Sequence, residues 1–166
     1  MSILVVTGTG TGVGKTIVTA AVASLARERG ASVAVVKPAQ TGVSDTESGD
    51  LDDVIRLSGV MTTFELSRFP DPLAPAAAAR LSGCRRSPRP GGDPDQGARR
   101  VAPARDRRGV GRAARPLRRG GATVADLARM ISAPVLLVAG AGSGTLNHTA
   151  LTLEAMAHRG WSPPEW

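Results

Sequence analysis

The sequence predicts an α/β protein whose helices flank a parallel sheet, and three observations carry that prediction. Short apolar runs alternate with stretches of helical spacing along much of the chain, the pattern of strands joined by right-handed helical crossovers. The first apolar run passes directly into the glycine-rich segment TGTGTGVGKT (Thr7–Thr16) and then into a helical stretch. The second apolar run ends at Lys37-Pro38, at the carboxyl end of a strand, where open α/β sheets place their ligand crevice.

In chain order, Ile3–Thr7 is β-branched and apolar and reads as a buried strand. Thr16–Arg29 places Ala, Val and Leu at helical spacing, with Gly30 as its stop. Ser32–Lys37 reads as the second strand and Thr41–Asp50 as a polar loop. Leu51–Ser58 reads as a helix with acidic residues at its positive end. Pro70–Ala79 begins as a proline-rich turn and becomes helical along its alanines. Ala122–Met130 reads as a helix, Pro134–Ala139 as a buried strand and Leu146–His158 as a helix. Between them, Gly83–Gly121 carries Arg-Arg four times with many Pro and Gly and neither period. The central segment 84–121 is therefore expected to be irregular, and no internal repeat is present.

At 166 residues the chain is long enough for one domain with a core. Its 21 Lys+Arg exceed its 14 Asp+Glu, but the excess is local. Residues 80–121 hold 13 Arg against 3 Asp, a charge of +10, and the remainder carries −3. Tyr is absent and there are two Phe and two Trp, so platforms on which bases stack are not expected. The arginines show no helical stripe, which disfavours a nucleic-acid interface. The single cysteine, Cys84, rules out an internal disulfide and fits a reducing compartment. No apolar run approaches a membrane span, and a cytoplasmic protein is expected.

The glycine loop carries the clearest chemistry. A loop between a strand and a helix N-terminus presents backbone N–H groups to phosphate oxygens, and glycines permit the close approach and the positive φ. Lys15 would reach the β- and γ-phosphates and the Thr16 hydroxyl would ligate Mg²⁺. The usual spacing is G-x-x-x-x-G-K-[ST]; here Thr9 stands at the first glycine position and Gly8 lies one residue further out. Lys37 fits a γ-phosphate contact or a solvated strand end. Asp50 fits a Mg²⁺ ligand or one acid of the helix-start cluster Asp50, Asp52 and Asp53.

Taken together, VTGTGTGVGKT, AVVKPAQTG (Ala34–Gly42), GDLDDVIRLSG (Gly49–Gly59), DPLAPAAAA (Asp71–Ala79) and GTLNHTALTLEA (Gly144–Ala155) resemble the ATP-dependent dethiobiotin synthetases, over residues 1 to about 82 and 122 to about 160. The resemblance implies a P-loop NTPase-type α/β fold, a homodimer, and a ligase. The enzyme would close the ureido ring of dethiobiotin from 7,8-diaminononanoate, CO₂ and ATP, with Mg²⁺ as cofactor. By that resemblance Gly12, Val13, Gly14, Lys15, Thr16 and Ile17 bind ATP, with Asp50. Thr16 and Asp50 hold Mg²⁺, and Lys15 and Lys37 are catalytic. Thr41 contacts substrate, and Thr145, Leu146 and Asn147 receive the substrate carboxylate from the neighbouring subunit. His148 is implied to be a packing or interface residue. Some members carry acidic residues where Gly10 and Gly12 stand.

The resemblance fails in one internal place. The family has a strand followed by a V-E-G-A-G-G-like motif, whose Glu is a further Mg²⁺ ligand, between the two matched blocks. Here Arg107–Arg115 reads RRGVGRAAR. Those residues can be encoded by CGT CGA GGG GTC GGG CGG GCT GCT CGT, followed by the C of a proline codon. Shifted by one base, that spells V-E-G-S-G-G-L-L-V. Residues 84–121 therefore fit translation out of frame between two compensating shifts; a genuine disordered basic insert is the alternative. The close, HRGWSPPEW, also departs from the family, which continues through further strands, so an incomplete P-loop domain is expected. A central strand buries several apolar side chains at about 1.5–3 kcal/mol each, against a domain stability of about 5–15 kcal/mol. The same loss removes a metal ligand, which argues against activity of this chain while leaving its ancestry intact. The competing functions are another P-loop ATPase, of the partitioning or cobyrinate-synthase-like kind, and a fragment that binds nucleic acid through Arg85–Arg119.

Overall fold

A computed structural model of the chain describes residues 2–82, 89–91 and 123–161. They fall into two compact units, one drawn from Met1–Val18 and Gly120–Trp166 and the other from Thr19–Arg119. Parallel strands flanked by helices make both, in keeping with the predicted class.

In the first unit, strand β1 (Val5–Gly8) pairs in parallel with a strand labelled β7 below, Val135–Val138. The register sets Val5 beside Val135 and Gly8 beside Val138, and the Thr9 N–H extends the ladder to the Val138 carbonyl at 3.0 Å. Both runs were expected to be buried; instead every residue in them is half-buried, and Ile3 and Leu4 are exposed. The reason is geometric. This sheet has two strands among the described residues, and a parallel strand is enclosed only when neighbours and helices cover it.

Helix α1 (Lys15–Glu28) begins directly at the end of the glycine loop. It ends before Gly30, whose φ of +79° is a left-handed turn that glycine adopts without strain.

The second unit holds β2 (Val35–Lys37), β3 (Gln40–Thr41), α2 (Asp50–Ser58), β4 (Thr63–Glu65), β5 (Arg68–Phe69), α3 (Pro75–Leu81) and β6 (Arg89–Gly91). β2 pairs in parallel with β4, placing Lys37 beside Glu65, and β3 pairs in parallel with β5, placing Gln40 beside Arg68. β6 lies antiparallel to β4; this tripeptide is ordered as a strand inside the segment expected to be irregular. The rest of 84–121, with both readings of it, lies outside the described residues.

α2 buries Leu51, Val54 and Ser58 and carries all three of its acids in the first turn. The Gly49 N–H donates to the Asp52 carboxylate at 2.6 Å, which fixes the helix start. Gly59 ends it at φ +66°, its N–H donating to the Ile55 carbonyl at 2.8 Å. Phe69, Ala78 and Ala79 form a small core with Ala39 beside them.

Returning to the first unit, α4 (Val124–Met130) starts at Thr123, then β7, then α5 (Thr145–Ala157). Thr123 and Asp126 hydrogen-bond reciprocally, the Thr123 N–H donating to the Asp126 carboxylate at 2.7 Å. Arg159 reaches the same carboxylate at 2.9 Å. Among the described residues no helix is long and apolar enough to cross a membrane.

Candidate functional site

The glycine loop turns from β1 into α1 through two left-handed residues, Gly12 at φ +75° and Gly14 at φ +95°. Such a turn aims successive backbone N–H groups into one concavity, an anion-binding geometry. Lys15 is the first residue of α1, and its ammonium donates to the Gly10 carbonyl at 2.5 Å, folding back over the loop. Thr16 follows, half-buried, with its hydroxyl unpartnered among the described residues; Val13 is half-buried and Ile17 is exposed.

The departure at Thr9 has a structural reason. A Cβ on Gly8 would lie 2.8 Å from Val13 Cγ2, 2.9 Å from the Val138 carbonyl oxygen and 3.1 Å from Lys15 Cδ. The tight packing falls on the last residue of β1, so the glycine is needed there, and Thr9 is free to be a threonine. Sequence spacing located Gly8 but gave it no role.

In the second unit, the Lys37 ammonium at the end of β2 donates to Asp50 Oδ2, forming an ion pair between a strand end and a helix start. Its side chains are 24% and 44% exposed, so it is open enough for a ligand to compete. The two candidates that sequence alone left ambiguous are thus a pair. Thr41 closes β3, half-buried, in the loop that leads to Asp50.

A group that sequence reading missed holds this loop. Arg68 and Glu65 are buried, with side-chain exposures of 5% and 4%, and pair through two hydrogen bonds of 2.7 and 3.0 Å. The Glu65 carboxylate raises the Arg68 pKa above the ordinary arginine value against the opposing effect of burial. Gln40, also buried, accepts from the Asp50 N–H at 3.1 Å. The clue lay in FELSRF (Phe64–Phe69), where an acid and a base sit between apolar residues.

Thr145, Leu146 and Asn147 open α5 behind Gly144 at φ +83°. Leu146 is 84% exposed and Asn147 is exposed. His148 is exposed as well, with its N–H in the first helical bond to the Gly144 carbonyl at 2.9 Å.

Among the described residues no group of three His, Cys, Asp or Glu is arranged so that it could hold a metal ion. Thr16 and Asp50 offer hard oxygen donors, which suit Mg²⁺, an ion that keeps water and phosphate oxygens in most of its positions. A cleft of about 250 Å³ in the first unit, lined by residues including Thr7, Val124, Met156 and Arg159, contains none of the predicted site residues.

A family model described as an AAA domain matches residues 2–163. A protein of Frankia casuarinae named ATP-dependent dethiobiotin synthetase BioD is 56% identical over 166 residues, covering 96% of this chain and 68% of its own length. Proteins of the same name from Parafrankia and Streptomyces avermitilis are 55% and 50% identical, each over 96% of this chain and over 68% and 67% of their own lengths.

Proposed function

The chain belongs to the ATP-dependent dethiobiotin synthetase family, and from that premise we propose that its residues serve ATP-dependent closure of the ureido ring on 7,8-diaminononanoate, a step of biotin biosynthesis. The observation that carries the reading is the glycine loop, with Gly12 and Gly14 at positive φ and Lys15 at the first helical position. Neither another P-loop ATPase nor a nucleic-acid binder is favoured by these relatives.

In this reading CO₂ adds to one substrate amine to give a carbamate. The carbamate oxygen attacks the γ-phosphorus and releases ADP. The second amine then attacks the carbonyl carbon and expels phosphate, closing the ring. The work is positioning and charge neutralisation. The loop from Gly12 to Ile17 holds the phosphates, and Lys15 leaves the Gly10 carbonyl to meet the transferring charge. Lys37 faces the carbamate and phosphate, with Asp50 fixing its ammonium until ligand arrives. Thr41 hydrogen-bonds the substrate. The N-terminal amides of α5 at Thr145–Asn147 receive the substrate carboxylate across a homodimer. Thr16 and Asp50 would hold Mg²⁺, which supplies neutralisation of phosphate charge when bound. A cytoplasmic location fits a biosynthetic enzyme of this kind.

Residues 84–121 are part of the proposal. The arginine-rich run stands where the family's Val-Glu-Gly motif belongs, and a one-base shift of a permitted coding sequence gives V-E-G-S-G-G, close to that motif. We propose that the segment is out of frame and that ring closure by the chain as written is strongly reduced. The deciding experiment combines nucleotide binding with product formation from labelled CO₂. ATP binding is expected to be lost in K15M and kept in K37A, and K37A should lose whatever ring closure the native chain shows. ATP binding unaffected by K15M would sink the reading.

A further inference from the structure

We infer that Arg68, held by Glu65, is a positioning residue that sets the loop carrying Thr41 and Asp50; this rests on the reading of Lys37 and Thr41 as contacts of the carbamate and the diamine, with Asp50 as the partner that fixes Lys37. The guanidinium divides its donors between two tasks. Nε and Nη2 go to the Glu65 carboxylate, and Nη1 donates to the carbonyls of Ser44 and Glu47 at 2.9 Å each. The loop is thereby held at its middle from the strand below it. It is held at its far end by Gln40, the register partner of Arg68, which accepts from the Asp50 N–H. Gly49 makes the approach possible, because a Cβ there would lie 2.9 Å from Arg68 Nη2 and 3.1 Å from Gln40 Oε1. Ser44 and Glu47 close the loop on themselves through a 2.7 Å bond from the Ser44 N–H to the Glu47 carboxylate.

Charge gives Arg68 a second task. Glu65 is buried and is the register partner of Lys37 on the adjacent strand, so both residues stand on the same face of the β2–β4 ladder. A buried carboxylate deprived of its cation is costly and takes the nearest one. By satisfying Glu65 with two hydrogen bonds, Arg68 leaves the Lys37 ammonium to Asp50 and hence to substrate. The Lys37–Asp50 pair is thus specified by a second, fully buried pair that touches neither reactant.

R68M, the double variant E65M/R68M and K37A separate the possibilities. Amide exchange across residues 41–52, which needs no ligand, should accelerate in both Arg68 variants while exchange in β1 and β7 stays unchanged. Calorimetric binding of 7,8-diaminononanoate should weaken about tenfold in R68M, since only the fraction of molecules with an ordered loop binds. It should recover partly in E65M/R68M, where no stranded carboxylate competes for Lys37. ATP binding without divalent cation, which rests on the glycine loop, should change less than about twofold in either, for the same reason. Should R68M fail to fold, E65M/R68M decides, because replacing a whole buried pair by apolar groups is tolerated. Unaltered loop exchange in folded E65M/R68M overturns the inference, as does R68M binding the diamine as tightly as the native chain. Unaltered diamine binding in K37A overturns instead the underlying site reading, and loop exchange still reports on Arg68.

Discussion

Single residues decide whether the nucleotide loop can form. Gly8 is confined on three sides, by Val13, Lys15 and the backbone of Val138. G8A therefore forces a shift of strand against loop, and overpacking of this kind costs about 1–3 kcal/mol. The expected result is a lower unfolding midpoint together with weaker ATP binding, since the displaced neighbours include Lys15. T9G, at the position where the common spacing has glycine, should leave ATP affinity within about twofold, because the close approach has moved to Gly8 and the phosphate contacts proposed for the loop begin further on, at Gly12. Equal losses in G8A and T9G, measured by thermal unfolding and nucleotide titration, would show that spacing and not packing governs the loop. The motif names Lys15 and Thr16 directly, and the structure places them at the first two positions of α1. Gly8 was not, because its constraint comes from Val138, 130 residues away in the sequence.

Elements were read well where a local signal dominates. Helices α1, α2 and α5 appear within a few residues of their expected bounds, since each combines helical spacing with a glycine at one end. The short strands β3, β4 and β5 were missed. Two or three residues hold no period, and these strands exist through pairing with distant partners and through the Arg68–Glu65 pair. The helix ends give two predictions. G59A should destabilise the chain by about 1–2 kcal/mol in chemical denaturation, because alanine is strained at φ +66°; its Cβ would also fall 2.2 Å from Arg27 Nη1. The α4 start gives a pH dependence. Hydrogen bonds from Thr123, and then the charge of Arg159, lower the Asp126 pKa in the folded chain. A depressed carboxylate contributes stability that is full above its unfolded value and is lost as pH falls through its lowered folded value. D126N should therefore lower the midpoint at neutral pH and converge with the native chain in acid. A difference that persists unchanged at low pH would show that shape, not ionisation, holds this cap.

At the scale of the whole molecule the question is why the excess positive charge of the chain is confined to one segment. The +10 of residues 80–121 sits in a sequence without an apolar run, whereas the rest carries −3. A basic segment with no periodic face has no regular surface on which to build a specific site, and Pro and Gly disfavour the interior strand of a parallel sheet. A permitted coding sequence for Arg107–Arg115, shifted by one base, would instead spell V-E-G-S-G-G-L-L-V, close to the family's glycine-rich motif with its carboxylate near the start. The strand and motif that the family carries there would enclose half-buried strands such as β1 and β7, and the motif's Glu would add one acidic oxygen to the Mg²⁺ ligands proposed above. Expression of a gene with the frame restored between codons 84 and 121 should therefore raise the unfolding midpoint. It should also flatten the salt dependence of adventitious DNA binding, since the released counterions scale with the arginines removed. Ring closure should rise at least a hundredfold, the order expected when a missing group at a phosphoryl-transfer site is returned. Replacing the restored Glu by Gln should then abolish the gain in rate while keeping the gain in stability. If the unshifted chain already matches the restored one in both measurements, the arginine-rich segment is a native part of the enzyme, and the Val-Glu-Gly motif is dispensable to it.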